Sequence, residues 1–319
     1  MSELNSIQVQ VAGLSKRYGR VLALDGVSFS LGRGEILGYL GPNGAGKTTT
    51  INVLCGLLAR DAGTVQVCGV DVAADPVFVK SRIGVVNDTS NLYPELSCRR
   101  NLEYLGELYG LARATRRQRA EELLGMFDLE TRAGDRFGTL SRGLQRRLTI
   151  AAALIHRPEV VFLDEPTVGL DVPSAKSLRE LIRQIHAQGA TVLLTTHNLA
   201  EAEALCTRVA ILVRGRILAE GSVNDIRSRF GKVQSLSVAF SGPVSEETLL
   251  ASCPAVRAAA ISDGAWTLDA ANLHAALSQL VALADRLELT VIELSTSGAS
   301  LEDAFLSILQ QQDHAGAKG

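Results

Sequence analysis

The sequence predicts an α/β protein with a mostly parallel sheet, followed by a smaller α+β domain. Three observations point there. A strand candidate, Glu35–Leu40, runs through a glycine-rich turn straight into a helix-compatible stretch, Thr48–Leu58. Further strand candidates (Ile83–Val86, Val160–Leu163, Thr191–Thr195 and Val209–Val213) are separated by helical stretches, the pattern that puts helices on both faces of a parallel sheet. After Phe230-Gly231 the composition becomes poorer in basic residues and richer in Ala, Ser and Leu, which marks a domain boundary.

Ahead of the phosphate-type turn, Ile7–Ala12 and Val27–Leu31 read as short β stretches, and Val65–Val67 follows it, with Gly-bearing turns between them. Asn101 to about Arg136 is polar, rich in Arg and Glu, and holds no strand candidate, so it is expected as an inserted helical subdomain. Ser174–Gln188 has helix-start chemistry and apolar residues at helical spacing. In 231–319 the expected order is strand (Gln234–Phe240), helix (Ser245–Ala251), strand (Val256–Ile261), strand (Trp266–Leu268), helix (Leu273–Arg286), strand (Leu289–Leu294) and helix (Leu301–Leu309). That β-α-β-β-α-β order suggests a ferredoxin-like domain, with a polar tail from about 311.

With 319 residues, 46% hydrophobic and 21% charged, the chain is long enough for a sizeable core and a second domain. A net charge of −2 argues against a strongly electrostatic nucleic-acid or membrane-surface binder. No apolar run approaches the roughly 18 residues that cross a bilayer, and the first thirty show no secretory signal. Cys55, Cys68, Cys98, Cys206 and Cys253 form no C-x-x-C pair, so reduced thiols in a cytoplasmic compartment are expected.

Gly41-Pro42-Asn43-Gly44-Ala45-Gly46-Lys47-Thr48 matches G-x-x-x-x-G-K-[ST] between a strand and a helix. Glycines let successive backbone N–H groups of Gly41, Asn43, Gly44, Ala45, Gly46, Thr48 and Thr49 turn toward phosphates beside a helix N-terminus. Lys47 then reaches the β- and γ-phosphates and Thr48 ligates Mg²⁺, so the expected cofactors are ATP and Mg²⁺. The apolar strand Val160–Leu163 ends in Asp164-Glu165. Asp164 fits a Mg²⁺ ligand and Glu165 a base that polarises the attacking water. His197, after Thr191–Thr195, is placed to meet the γ-phosphate or that water. His156, His186, His274 and His314 have no such placement.

Leu140-Ser141-Arg142-Gly143-Leu144-Gln145-Arg146-Arg147-Leu148 stands between the phosphate loop and the acidic strand. With it the chain, from about Ile7 to Ser228, resembles ATP-binding-cassette ATPases and their L-S-G-G-type signature. The resemblance implies a P-loop NTPase cassette over 1–230: a mostly parallel core, an antiparallel β subdomain and a helical subdomain at about 88–150. It also implies that Ser141, Gly143 and Gln145 serve the ATP of a second cassette, and that Tyr18 stacks on adenine. Asp171, closing Pro166-Thr167-Val168-Gly169-Leu170-Asp171, would lie at the dimer seam, and His197 would be the switch histidine. Two positions depart from the family pattern. Arg142 replaces a signature glycine, and Asp88, in Ile83-Gly84-Val85-Val86-Asn87-Asp88, replaces the Q-loop glutamine.

Asn91–Ser97 leading to Asn101-Leu102, Glu201–Cys206 and Leu301–Phe305 are similar to segments of ABC-2 type exporter cassettes. This implies an ATPase subunit that powers export by a separate membrane-spanning permease, pairs with a second cassette as a homodimer, and sits on the inner face of the cell membrane. The groove between core and helical subdomain would take the permease's cytoplasmic helix. Locally, Leu301–Phe305 reads equally well as a capped amphipathic helix. Cassette ATPases of the translation or DNA-repair type are the alternative. They usually carry two cassettes, long coiled coils or zinc-bearing insertions, and this chain has one cassette, no heptad run and no cysteine cluster. A regulatory ATPase with a ligand-binding terminal domain is a further alternative.

Overall fold

In the computed structural model, which describes residues 7–87, 90–230, 234–262, 265–270, 272–297 and 300–316, alternating burial marks the first strands, β1 (Ile7–Tyr18) and β2 (Val21–Gly32). Both are longer than the sequence suggests, because register shifts between Val11, Leu14 and Lys16 are bulges that carry the pairing past Gly13. β3 (Ile36–Leu40) follows, then α1 (Lys47–Leu54), which ends ahead of Gly56, at positive φ, rather than running to Leu58. β4 (Ala62–Val67) and β5 (Val70–Asp71) complete a four-stranded sheet of order β2-β1-β4-β5. Its β1–β2, β1–β4 and β4–β5 pairs are antiparallel, and Val9, Val11, Leu14, Val65 and Val67 bury one face.

α2 (Pro76–Arg82), a helix beyond the elements expected from the sequence, has Asp75 as N-cap and proline in its first turn. β6 (Ile83–Val86) leads to the helical insertion: α3 (Cys98–Leu108), capped by Ser97, then α4 (Arg113–Met126) and α5 (Arg142–Ala153). Apart from a single bridge between Ser97 and Arg136 the described part of this region contains no strand, as its polar sequence predicts. β7 (Val160–Asp164), α6 (Val172–Ala187), β8 (Thr191–Thr196), α7 (Leu199–Leu205), β9 (Arg208–Val213) and β10 (Arg216–Ser222) follow. The second sheet has the order β10-β9-β3-β8-β7-β6, and β9, β3, β8, β7 and β6 pair in parallel. Every residue of β3, β7 and β8 is buried, which is why these strands carry apolar stretches rather than an alternating pattern. β10, a strand beyond those expected from the sequence, joins β9 through Arg214-Gly215, both at positive φ, in a hairpin turn.

The chain divides into two units, Met1–Glu220 and Gly221–Gly319. This division precedes Phe230-Gly231 because α8 (Val223–Phe230) packs against the last helix of the chain. Within the second unit come β11 (Gln234–Phe240), α9 (Glu246–Ser252), β12 (Val256–Ser262), β13 (Ala265–Ala270), α10 (Leu273–Arg286), β14 (Val291–Ser297) and α11 (Leu301–Gly316). Its sheet, ordered β12-β13-β11-β14, is antiparallel throughout. Leu236, Val238, Trp266 and Leu268 pack on Leu249 of α9 and on Leu280 and Leu283 of α10. Ser300 and Asp303 cap α11 reciprocally, with Leu301 and Ala304 buried, so Leu301–Phe305 opens a capped amphipathic helix. α11 continues to Gly316, through residues expected to form a polar tail. All five cysteines are free thiols.

Candidate active site

Because β8 lies between β3 and β7, Thr196 pairs with Leu40 and Thr195 pairs with Asp164. The loop after β3, the acidic tip of β7 and the histidine after β8 therefore share the carboxyl edge of the sheet, where open α/β sheets bind ligands. The loop is glycine-built for steric reasons. A Cβ on Gly41 would stand 2.2 Å from Leu212 O, and Gly46, at φ 112°, has Ala23 O 2.7 Å from the same position. α1 begins at Lys47 without a side-chain cap, which leaves its first N–H groups and the positive end of its dipole for an anion.

Lys47 is buried and turns back into its own loop, donating to Gly41 O (2.7 Å) and Pro42 O (3.2 Å). Its Nζ also lies 3.1 Å from Glu165 Oε1. Asp164 is 4% exposed and accepts two hydroxyl hydrogen bonds, from Thr48 Oγ1 (2.9 Å) at Oδ2 and from Thr195 Oγ1 at Oδ1. Glu165 sits in the left-handed region, φ 47°, with its N–H donating to Thr195 O and Thr195 Oγ1. That turn sends two adjacent carboxylates in different directions: Asp164 to Thr48, Glu165 to Lys47 and His197. His197 Nδ1 is 3.0 Å from both Glu165 oxygens. Thr48 and Asp164 present one hydroxyl and one carboxylate side by side, a hard-oxygen pair whose chemistry suits Mg²⁺.

The other expected residues lie away from this cluster and make none of its contacts among the described residues. Tyr18 ends β1, half-exposed, with Lys16 Nζ 6.0 Å from its ring. Ser141 caps α5, accepting from Leu144 N, and a Cβ on Gly143 would stand 2.7 Å from Ser174 Oγ, so this glycine sets how closely α5 approaches α6. Gln145 turns inward and donates to Phe137 O (3.2 Å). Asp171 caps α6, accepting from Ser174 N (2.7 Å), and that bond holds its carboxyl below the usual range. Arg142 is exposed in the first turn of α5. Asp88, the Q-loop position, lies outside the described residues.

Three participants escaped the sequence analysis. In the sequence Thr195 ends a strand and opens the Thr195-Thr196-His197 stretch, with no sign that its hydroxyl anchors Asp164. Arg146 was read only as part of the signature stretch. Glu201 was read as a segment likeness, yet it is fully buried in the first turn of α7, and neither carboxyl oxygen has a hydrogen-bond partner. Burial pushes its carboxyl above the ordinary value, and the nearby Glu165 charge adds to this, while the charge of Arg179 offsets it in part. A carboxyl with a raised folded value costs no stability below its unfolded value of 4.5; the cost grows as pH rises from there through the folded value. Glu201→Gln should therefore melt a few degrees higher than the parent at pH about 8, with the gain shrinking toward pH about 5. Melting curves that differ equally at both pH values would refute the buried charge as the cause.

Strands that converge a lysine, two hydroxyls and two carboxylates on one edge, beneath a glycine loop, make a nucleotide-binding P-loop ATPase. The sequence pattern of the ABC transporter family matches residues 24–168. Linearmycin resistance ATP-binding protein LnrL of Bacillus subtilis (strain 168) is 36% identical over 304 residues, 94% of this chain and 97% of that protein. Daunorubicin resistance ATP-binding protein DrrA3 of Streptomyces coeruleorubidus is 44% identical over 223 residues, 70% of this chain and 71% of that one. The dimeric post-hydrolysis structure of the ATP-binding cassette MJ0796, bound to ADP and Pi, superposes with a TM-score of 0.61 at 28% identity, covering 67% of this chain and 98% of that one. The chain belongs to the ABC transporter family, as an ATP-binding cassette that hydrolyses ATP. Among its described residues no helix is long and apolar enough to cross a membrane.

Proposed function

We infer that this cassette works as one of a pair and that its ATP cycle drives export through a separate membrane-spanning permease at the inner face of the cell membrane. The observation that carries this reading is likeness along 94% of the chain, through both units, to a protein named for resistance to linearmycin. In this reading Gly41, Asn43, Gly44, Ala45, Gly46 and Thr49 cradle the phosphates with backbone N–H groups, and Tyr18 stacks on the adenine. Lys47 exchanges its carbonyl partners for the β- and γ-phosphates. Thr48 and Asp164 hold Mg²⁺, which neutralises phosphate charge when bound. Glu165 takes the proton of the attacking water, and His197, bonded to it, orients the carboxylate toward the γ-phosphate. Ser141 and Gly143, at the N-terminus of α5, meet the partner's nucleotide, and Asp171 lies at the seam between the two copies.

The permease needs a docking place, and a groove of about 200 Å³ between the core and the helical insertion supplies one. It is lined by Leu57, Lys80, Val85, Asn91, Leu105 and Tyr109, with Leu57 60% exposed. Tyr109 is braced from behind by His156, whose ring stacks on it at 3.6 Å. An exposed leucine and tyrosine beside one lysine suit a short amphipathic helix with an acidic edge. Leu57→Asp should weaken co-sedimentation with membranes of the cells that express the chain by about tenfold or more, while ATPase activity of the isolated chain stays at the parental level. Unchanged co-sedimentation would remove this groove as the docking place.

A further inference from the structure

α5 does more than present its first turn. Arg146, one turn further on, donates through Nε to Pro166 O (2.8 Å), through Nη1 to Asn87 O (2.5 Å), and through Nη2 to Asp164 O and Glu165 O (2.9 Å each). Three of these carbonyls belong to successive residues, and the middle one is Glu165, held at φ 47°. A non-glycine residue in that region is strained and persists only where its surroundings fix it. Carbonyls converging from one turn also repel unless a cation sits among them. A planar guanidinium with five donors meets both needs; an ammonium offers three donors and no fork.

The rest of α5 is anchored just as firmly. Arg147 donates to Phe127 O (3.2 Å), Asp128 Oδ2 (2.9 Å) and Ser177 Oγ (2.6 Å), which roots the helix between the helical insertion and α6. Ser141 caps the same helix, and at ~1.5 Å per residue its hydroxyl end lies only about 7.5 Å along the axis from Arg146. Over that span a hydrogen-bonded helix behaves as a rod, so a displacement at Ser141 arrives at Arg146 nearly undiminished.

We propose that Arg146 is a positioning residue that couples the two ATP sites of a pair, tying the helix end that meets the partner's nucleotide to the catalytic turn of its own chain. This rests on the paired-cassette reading. When a partner's phosphate draws Ser141 and Gly143 forward, the Arg146 fork moves with them and carries the carbonyls of Asp164, Glu165 and Pro166, so the direction of the Glu165 side chain responds to whether the other site is loaded. Through Asn87 O the same fork also reaches the strand end that precedes the Q-loop position.

The test is ATP hydrolysis by the full chain, titrated with ATP, for the parent, Arg146→Met and Arg146→Lys. Arg146→Met should bind ATP with a dissociation constant within about twofold of the parent, yet lose about tenfold or more in kcat, with a Hill coefficient reduced to about one from a parental value above it. Arg146→Lys, which keeps charge and bulk, should fold and bind as the parent does and show the same loss of cooperativity. A parental Hill coefficient of about one, or variants that keep the parental value, overturns the coupling; a fall in kcat with cooperativity intact reduces Arg146 to a local brace and overturns it too. Glu165→Gln, examined by gel filtration with ATP, separates the two readings. If it stays monomeric the paired reading fails; if it dimerises while the Arg146 variants behave as the parent, only the coupling fails.

Discussion

Replacing Lys47 with alanine is expected to lower kcat/KM for ATP by at least about a hundredfold, because it removes a buried cation held inside the Gly41–Thr48 loop. The environment explains why nothing substitutes for it. Lys47 is 6% exposed, and its ammonium is held by two loop carbonyls and by Glu165. Alanine leaves those carbonyls without their donor and the carboxylate without its counter-charge, and breaking one side of a buried pair costs several kcal/mol. Phosphate release and ATP-analogue binding should fall together, since both depend on the same cation. Turnover within about threefold of the parent would refute the assignment of this loop to the phosphates.

Glu165→Gln should act at a different point of the cycle. The amide keeps the shape of the side chain and its contact with His197 Nδ1, now 3.0 Å from both carboxylate oxygens, but it cannot take a proton. Hydrolysis is then expected to fall by roughly 10²–10⁴-fold with ATP still bound. Asp164 keeps its two hydroxyl partners in the variant, so the expected Mg²⁺ ligands stay in place. A chain that binds ATP and cannot spend it should accumulate as a closed pair, seen by gel filtration as a dimer only when ATP is present. A variant that hydrolyses ATP at the parental rate would show that another group removes the proton.

What the sequence made legible was local chemistry. Gly41–Thr48, Asp164-Glu165 and His197 each follow an apolar strand by a fixed offset, and the strand that aims them is written in the same few residues. β3, β6, β7, β8 and β9 are readable for the same reason: mostly buried on both faces, each is built around an apolar stretch. Features that depend on distant partners were not readable. Nothing near Arg146 announces that carbonyls of Asn87, Asp164, Glu165 and Pro166 will converge on it. Nothing in Glu201 says that α7 will bury its carboxyl, since alternating Glu and Ala is also how a solvated helix face looks. β1 and β2 were read too short because glycine at a bulge and glycine at a turn look alike in one sequence. Asp171 illustrates a third kind of difficulty: a residue singled out by family likeness also turns out to be an ordinary helix cap.

The strand order has a consequence for how the site comes into being during synthesis. β3 and β7 flank β8 in space, yet β8 is the last of the three to be made. A nascent chain that has already delivered the lysine and both carboxylates still has a gap in its sheet, and Asp164 lacks the Thr195 hydroxyl that holds it. Non-local parallel pairing of this kind forms slowly. The site is therefore complete only late, when Thr191–Thr196 slots between its neighbours, and a cassette interrupted before that point carries the whole Gly41–Thr48 loop without the geometry around it.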